Sequence, residues 1–360
     1  MPQRPTCRRR LFAGAALAAA CGPLSASERA LDFAPTANLQ YDWVHFDAAD
    51  PRLADTQDFR RARLGFKVKG ARWQFVAEHD FGERTPADAY LEITPAKGHS
   101  VRIGQFKQPF LLEDAVSDKQ TPFLEQSLLG ALSLNRRLGI EYARSGDRGT
   151  LNTAVYGKRL DGTQESLGLA ARGTWRLPVG SGRTAHVGAS VASESPDARR
   201  AAFSATPGTA LSTVRLASLR ASQVQRIDRA AVEGVWLQGP WSAQAEIGHV
   251  LLRRGGAPGF RGDAQAVAIT FSPSGDGRSY KRGVPGAPST DDGPAWELAV
   301  RWSAIDLDDG TLRGGRVRQL AFGMTCYVNE HLRIGGNLAR SERRGADDPL
   351  LAAVRVQLTY

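Results

Sequence analysis

A chain of 360 residues with 38 glycines, seven tryptophans, fourteen phenylalanines and only two methionines suits one large β-domain or two smaller ones. Its mean hydropathy is −0.33, and no run after residue 22 approaches the ~20 apolar residues of a spanning helix, which excludes a helical membrane protein. A barrel escapes that test, because only one face of each strand meets lipid. The formal charge of +10 raises a nucleic-acid reading, which an exported N-terminus and aromatic residues confined to apolar strand faces both oppose.

Residues 1–27 read as a signal peptide. Arg8, Arg9 and Arg10 precede the alanine-rich stretch Leu11 to Ala20, and Ser25, Ala26 and Ser27 are small enough for cleavage. Cleavage would remove four arginines, taking the charge from +10 to +6. It would also remove Cys7 and Cys21, leaving Cys326 without a partner for a disulfide or a metal site. Two readings compete: a lipoprotein site at Ala20-Cys21, and a twin-arginine signal, which fits poorly with a barrel that must cross the periplasm unfolded.

Residues 28–360 read as a single all-β domain. Period-two runs bounded by turn residues mark about sixteen strands. They lie near 34–47, 57–69, 71–81, 87–95, 99–108, 136–145, 149–159, 165–177, 183–194, 226–239, 241–254, 261–272, 295–306, 316–328, 331–343 and 350–360. Short links such as Lys69-Gly70-Ala71 and Gly239-Pro240 alternate with longer ones, the pattern of a transmembrane antiparallel β-barrel with tight periplasmic turns and long external loops. Three connections are longer still: 109–135 and 195–225 at the external rim, and 273–294 at the periplasmic rim. Folding inward would narrow a lumen that is otherwise a water channel. Phe110, Leu111, Phe123, Leu124 and Leu128 give the first of them apolar anchors, whereas 273–294 is rich in glycine and proline.

Alternation also sorts the charges. In the second strand Ala62, Leu64, Phe66 and Val68 share one face and Arg61, Arg63, Lys67 and Lys69 the other. A charge facing lipid costs ~2–4 kcal/mol at the midplane, so the basic face must line the lumen. The same sorting sends Arg137, Arg172, Arg176, Arg301, Arg333 and Arg355 inward, with Glu141, Glu246 and Glu297 as the sparser acids, so the lumen is expected to be cationic. Such a passage concentrates anions, and rings of Arg and Lys select for them. The closing strand puts Ala352, Val354, Val356, Leu358 and the terminal Tyr360 on the lipid face. A terminal aromatic there is the expected signal for the barrel assembly machinery.

Three segments carry a specific resemblance: Arg60-Arg61-Ala62-Arg63-Leu64-Gly65, Arg102-Ile103-Gly104-Gln105-Phe106-Lys107 running into Gln108-Pro109-Phe110, and Arg136-Arg137-Leu138-Gly139. With Tyr280-Lys281-Arg282 and Ala295-Trp296-Glu297-Leu298-Ala299 they resemble the phosphate-selective porin O and P family from about residue 57 to the C-terminus. The resemblance implies a trimeric outer-membrane barrel of sixteen strands with loops folded into a basic eyelet, passing phosphate or polyphosphate. It places Arg60, Arg61 and Lys107 among the pore-lining residues, Lys119 at the constriction, and Arg278, Lys281 and Arg282 in the periplasmic intrusion. Arg215, Arg220 and Arg226 could form a vestibule ladder. Parity agrees in part. Arg63, Arg102, Arg137 and Arg172 also face inward, but Arg60 has lipid-face parity and belongs at or above the rim, and Lys107 reaches the lumen only through a bulge near Gly104. Leu111 and Leu112 stand where the family commonly carries a hydroxyl residue, which weakens phosphate preference more than anion preference.

No enzymatic constellation emerges. The six histidines show neither metal-ligand spacing nor a triad, His186 with Ser190 included, and no phosphate-cradling glycine loop joins a strand to a helix. No cofactor or metal is expected. The expected partners are inorganic phosphate or other small anions and outer-membrane lipid. The rival readings are a porin for organic acids and a plugged structural or adhesive barrel.

Overall fold

The computed structural model describes residues 31–275, 277–343 and 347–360. The signal-peptide reading of 1–27, with Cys7 and Cys21, lies outside them. Sixteen antiparallel strands close one barrel. In order they are β1 (Asp32–Asp47), β2 (Thr56–Lys69), β3 (Trp73–Asp80), β4 (Thr85–Ala96), β5 (His99–Lys107), β6 (Arg136–Ser145), β7 (Gly149–Tyr156), β8 (Ser166–Leu177) and β9 (Arg183–Pro196). After the inner hairpin β10 (Arg200–Ala205) and β11 (Ala217–Ser222) come β12 (Val224–Gln238), β13 (Trp241–Arg254) and β14 (Phe260–Phe271). A second hairpin, β15 (Arg278–Lys281) and β16 (Val284–Pro288), precedes β17 (Ala295–Asp309), β18 (Leu312–Tyr327), β19 (Leu332–Arg343) and β20 (Leu350–Thr359). β20 pairs with β1 from Thr359 opposite Asn38 to Leu350 opposite Asp47. The Tyr360 and Ala37 backbones complete the seam, at 2.9 and 3.0 Å, so the sixteen-stranded sheet has no open edge.

Alternation builds the outer wall. All seven tryptophans are exposed, and Trp73, Trp175, Trp236, Trp241 and Trp296 sit at strand ends on the rim that carries Asp32 and Tyr360. Amphipathic rings concentrated at one level of an apolar band mark a membrane–water interface. Tyr360 is outward-facing there, its ring stacked on His331.

The lumen departs from the simple expectation of a polar interior. The connections around 195–225 and 273–294 carry hairpins rather than irregular chain, and the link between β17 and β18, expected as a loop, is a tight turn at Gly310. Inside the far rim Leu128, Leu129 and Leu132 of a 3-10 turn (Leu128–Leu132) pack with Phe203 and Leu219 of the inner hairpin and with Val250, Phe260 and Leu307 of the wall. This side of the bore is therefore a buried apolar core, and the open space lies toward β2–β8. Burial of large aliphatic side chains contributes ~1.5–3 kcal/mol each, which offsets the entropy of ordering a long loop.

The lipid-facing assignment is testable at Val300, mid-strand on the outside of β17. Val300→Arg is expected to lower the folding free energy in bilayers by ~2–4 kcal/mol, read by urea titration. An unchanged value would contradict the placement.

Candidate functional site

The connection from Gln108 to Asn135 crosses the bore, and the polar lumen residues of five strands hold it. Glu246 of β13 accepts from the amides of Leu112 at 2.7 Å and Glu113 at 3.3 Å, capping the single turn Leu112–Ala115. Arg301 of β17 donates to the carbonyls of Glu125 at 2.9 Å and Gln126 at 3.3 Å. Thr325 of β18 donates to Pro122 O at 3.2 Å, Arg333 of β19 to Asp118 O at 3.4 Å, and Arg355 of β20 to Leu124 O at 2.6 Å. Apolar side chains of the loop enter notches in the wall. A Cβ added to Gly248 would lie 2.8 Å from Leu129 Cδ1, and one added to Gly323 would lie 3.0 Å from Pro122 O. Leu111 and Leu112 are fully buried, so they anchor the loop and do not line water. From the terminal rim, hairpin β15–β16 rises to meet the loop. Arg278 pairs with Glu297 at 2.9 Å and donates to Gln120 O, while Arg172 donates to Gly283 O at 2.9 Å.

What stays open is a lane along β2–β8. A cavity of about 180 Å³ on the far side and one of about 400 Å³ on the terminal side share Arg63, Lys107, Asp114, Val116, Asp118 and Arg136 as common wall. These six residues form the neck. Lys107 donates to Asp114 O at 3.1 Å, Arg136 forms a bidentate pair with Asp88 at 3.0 Å, and Arg61 lies 3.2 Å from Asp118. Two loop carboxylates are strongly acidic. Burial alone would raise Asp118, but Arg61, Arg63, Lys107 and Arg136 outweigh it and hold the group far below the usual carboxylate range. Burial likewise opposes Glu125, which Arg60 and then Arg355 bring down to about 2.

The family model for phosphate-selective porin O and P matches residues 33–360. The chain belongs to the phosphate-selective porin O and P family. Comparison with curated proteins returns no relative of significant similarity. Among solved structures, a loop-deletion mutant of OmpT, an outer membrane protein of Vibrio cholerae, matches with TM-score 0.62 at 11% identity, covering 92% of this chain and all (100%) of that one. The trimer form of the same protein gives 0.61 at 11% identity with the same coverage of both chains, 92% and 100%. An anion-selective porin from Comamonas acidovorans gives 0.55 at 10% identity, again covering 92% of this chain and 100% of that one. At such identities these neighbours show the barrel fold alone, and family and fold together make this an outer-membrane porin of a Gram-negative envelope.

Within that porin the residues singled out from sequence divide. Arg60, Arg61, Arg63, Arg102, Lys107, Lys119, Arg172 and Arg282 line the lane. Arg60 does so against parity. The β1–β2 register shifts between Gln40 and Tyr41, leaving Arg60 bulged between Arg61 and Phe59, which turns it inward to Glu125 at 2.5 Å and Glu83 at 2.6 Å. Lys107 also reaches the lane, but without a bulge. β5 and β6 pair in unbroken register, and the turning point is Gly104, with φ +132° opposite Gly139. Arg137 does not line the lane. It is buried at the far rim, bound to Glu194 at 3.1 Å and to the carbonyls of Gly157 and Gln164, and Arg136 takes the neck position instead. Lys281 is exposed outside both cavities. The expected ladder is not formed: Arg215 folds back on Ser212 O and Val214 O, Arg220 lies on the exposed face of the inner hairpin, and Arg226 pairs outside with Asp228. Nor are inward acids sparse. Asp42, Asp80, Asp88, Glu92, Glu194 and Glu233 answer wall cations, and the loop adds Asp118 and Glu125. Asp118 and Arg136 are neck residues that face-sorting missed. Their one sequence signal was adjacency to Lys119 and Arg137.

Removing a docking arginine tests the loop's attachment. Arg355 is buried and bound to Asp42, Glu125 and a loop carbonyl, so Arg355→Ala is expected to cost about 3–5 kcal/mol by stranding Asp42. Limited trypsinolysis should then cut at Lys119 faster than in the wild type; equal cleavage would contradict the docking role. Acid gives a second test. Folding depresses the Asp118 and Glu125 pKa values, so their stabilisation is complete above the unfolded carboxylate value of ~4.3 and is lost as pH falls through the folded one. The melting temperature should be flat from about pH 8 to pH 5 and fall below about pH 4.3, less steeply in Glu125→Gln.

Proposed function

We propose that this porin conducts small anions, inorganic phosphate or polyphosphate among them, through the lane along β2–β8. Counting charge does not carry the reading, because the lane is lined by ten cationic and nine carboxylate side chains. Pairing does. Among the described residues Lys107, Lys119 and Arg282 line the lane with no carboxylate within 4.0 Å, whereas every lining carboxylate except Asp114 has a cation that close. Asp114 is satisfied by the Ser133 hydroxyl at 2.5 Å and by Gln126 at 2.9 Å. The unpaired field is therefore positive, in a narrow low-dielectric passage where it acts most strongly. Three moderate sites in series favour movement over tight capture.

Lys107 is held at the neck by one carbonyl, Lys119 reaches only Ala37 O at 3.5 Å, and Arg282 tops the terminal hairpin with φ +52°. Arg102, paired with Glu92 at 2.7 Å and stacked over Tyr90, and Arg172, paired with Glu233, shape the wall between them. The same reading makes the protein a homotrimer, supported by the trimeric form of one structural neighbour, inserted into lipid by the assembly machinery through the outward Tyr360. It assigns no catalytic group and no cofactor. Organic acids are a rival cargo, since Leu111 and Leu112 stand where the family commonly carries a hydroxyl residue. The apolar fill of the far rim favours a second reading, a closed structural barrel.

Planar-bilayer recording decides among these. In a KCl gradient the reversal potential should lie on the chloride side, and Lys107→Glu or Lys119→Glu should move it toward potassium. Phosphate should block chloride current at lower concentration than a dicarboxylate does. A potassium-side potential in the wild type would defeat anion conduction, and silence from folded trimers would favour the closed barrel.

A further inference from the structure

Two arginines stand directly opposite each other on the outer face of the wall. Arg226 of β12 and Arg253 of β13 are cross-strand partners, brought level by a register shift between Val224 and Arg226. Like charges so placed repel. Among the described residues a single carboxylate answers both: Asp228, 2.7 Å from Arg226 Nε and 3.3 Å from Arg253 Nε. Ser193 fixes the group, accepting from Arg226 Nε at 2.8 Å and donating to Asp228 at 2.7 Å. Each guanidinium is therefore held at its Nε edge, and the side chains are 50% and 69% exposed, with their Nη groups turned to no protein acceptor among the described residues. One positive charge is left unanswered.

The pair heads an apolar trough. Ile140, Val155, Leu169 and Ser193 follow one cross-strand row from β6 to β9, and the row ends at Asp228. Beside it Thr153 and Ala171 are small, and the depression over them, about 900 Å³, runs up to Arg226 and Asp228. The arginines lie at the far rim, where the long connections mark the external side of a barrel of this kind. The trough thus leads from that interface down into the apolar band.

We propose that the trough and its arginine pair bind a phosphorylated glycolipid of the external leaflet, with a phosphate on the Nη groups of Arg226 and Arg253 and an acyl chain laid over Thr153 and Ala171. A phosphate supplies the second anion that the opposed guanidiniums lack, in the forked geometry that arginine offers. At the edge of the bilayer the attraction is less screened than in bulk water. The chain covers the exposed side chains of Ile140, Val155 and Leu169. A lipid without phosphate would fill the trough and leave the arginines repelling, and a free phosphate would answer the arginines and make no use of the trough. The inference does not depend on what the lane conducts, because these residues face away from it.

The test is native mass spectrometry of the full barrel in detergent, titrated with diphosphoryl lipid A. Wild type should hold lipid A through detergent exchange, and the double variant Arg226→Gln, Arg253→Gln should bind it about tenfold or more weakly, the effect of losing charge-assisted contacts. Ala171→Trp, which fills the trough and leaves the charges alone, should weaken it as well. Dephosphorylated lipid A needs no variant and should bind wild type about tenfold or more weakly than the phosphorylated form. Equal binding of the two lipids, or of lipid A by wild type and the double arginine variant, would overturn the proposal. Loss in the arginine variant with full binding in A171W would overturn it too, because the pair would then be a site for phosphate alone, and inorganic phosphate should in that case displace lipid A from wild type.

Discussion

Guanidinium groups on the lumen wall that bind backbone carbonyls of the crossing loop are the contact on which the rest of this barrel depends. Arg301, Arg333 and Arg355 together reach the carbonyls of Asp118, Leu124, Glu125 and Gln126. A charged donor on a buried carbonyl is worth more than a neutral one, and carbonyls deep in a bore have no water to fall back on. The arginines thus do for the loop what a ladder partner does for a strand. Because they sit on β17, β19 and β20, they pull the loop to one side, and the lane is what is left on the other.

This changes the meaning of a basic lumen. A side chain that must face inward is not thereby free to meet an ion. Arg137, Arg301 and Arg355 fasten chain segments, and Arg172 fastens a hairpin through Gly283 while paired with Glu233. The field an ion would sense comes from the few cations left without partners. The same economy explains why the carboxylates are so numerous: each buried fastener needs its charge answered.

Much of the fold was legible because a membrane makes alternation obligatory. Sixteen period-two runs became sixteen strands, and the inward face of each basic strand was read correctly, since lipid permits no other answer. The misplacements share one cause. Parity counts residues and cannot see a bulge or a glycine turn, so Arg60 was put outside although the β1–β2 register slips beside it. The bulge expected near Gly104 was instead a single residue with positive φ. Loop contacts were beyond reach for another reason. Asp118 meets Arg61 across 57 residues of chain, and no period within a segment encodes a long-range pair. The hairpins β10–β11 and β15–β16 were hidden by their shortness and by the proline and glycine around them.

The division of the bore into a polar lane along β2–β8 and an apolar fill beneath β12–β18 can be seen directly. Crystals soaked in bromide and measured at the bromine absorption edge would locate weakly held anions by anomalous scattering. Peaks should fall in the lane near Lys107, Lys119 and Arg282, with none among Leu129, Phe203 and Phe260. Bromide distributed through the far-rim interior, or absent from the lane while bound elsewhere on the barrel, would contradict the division.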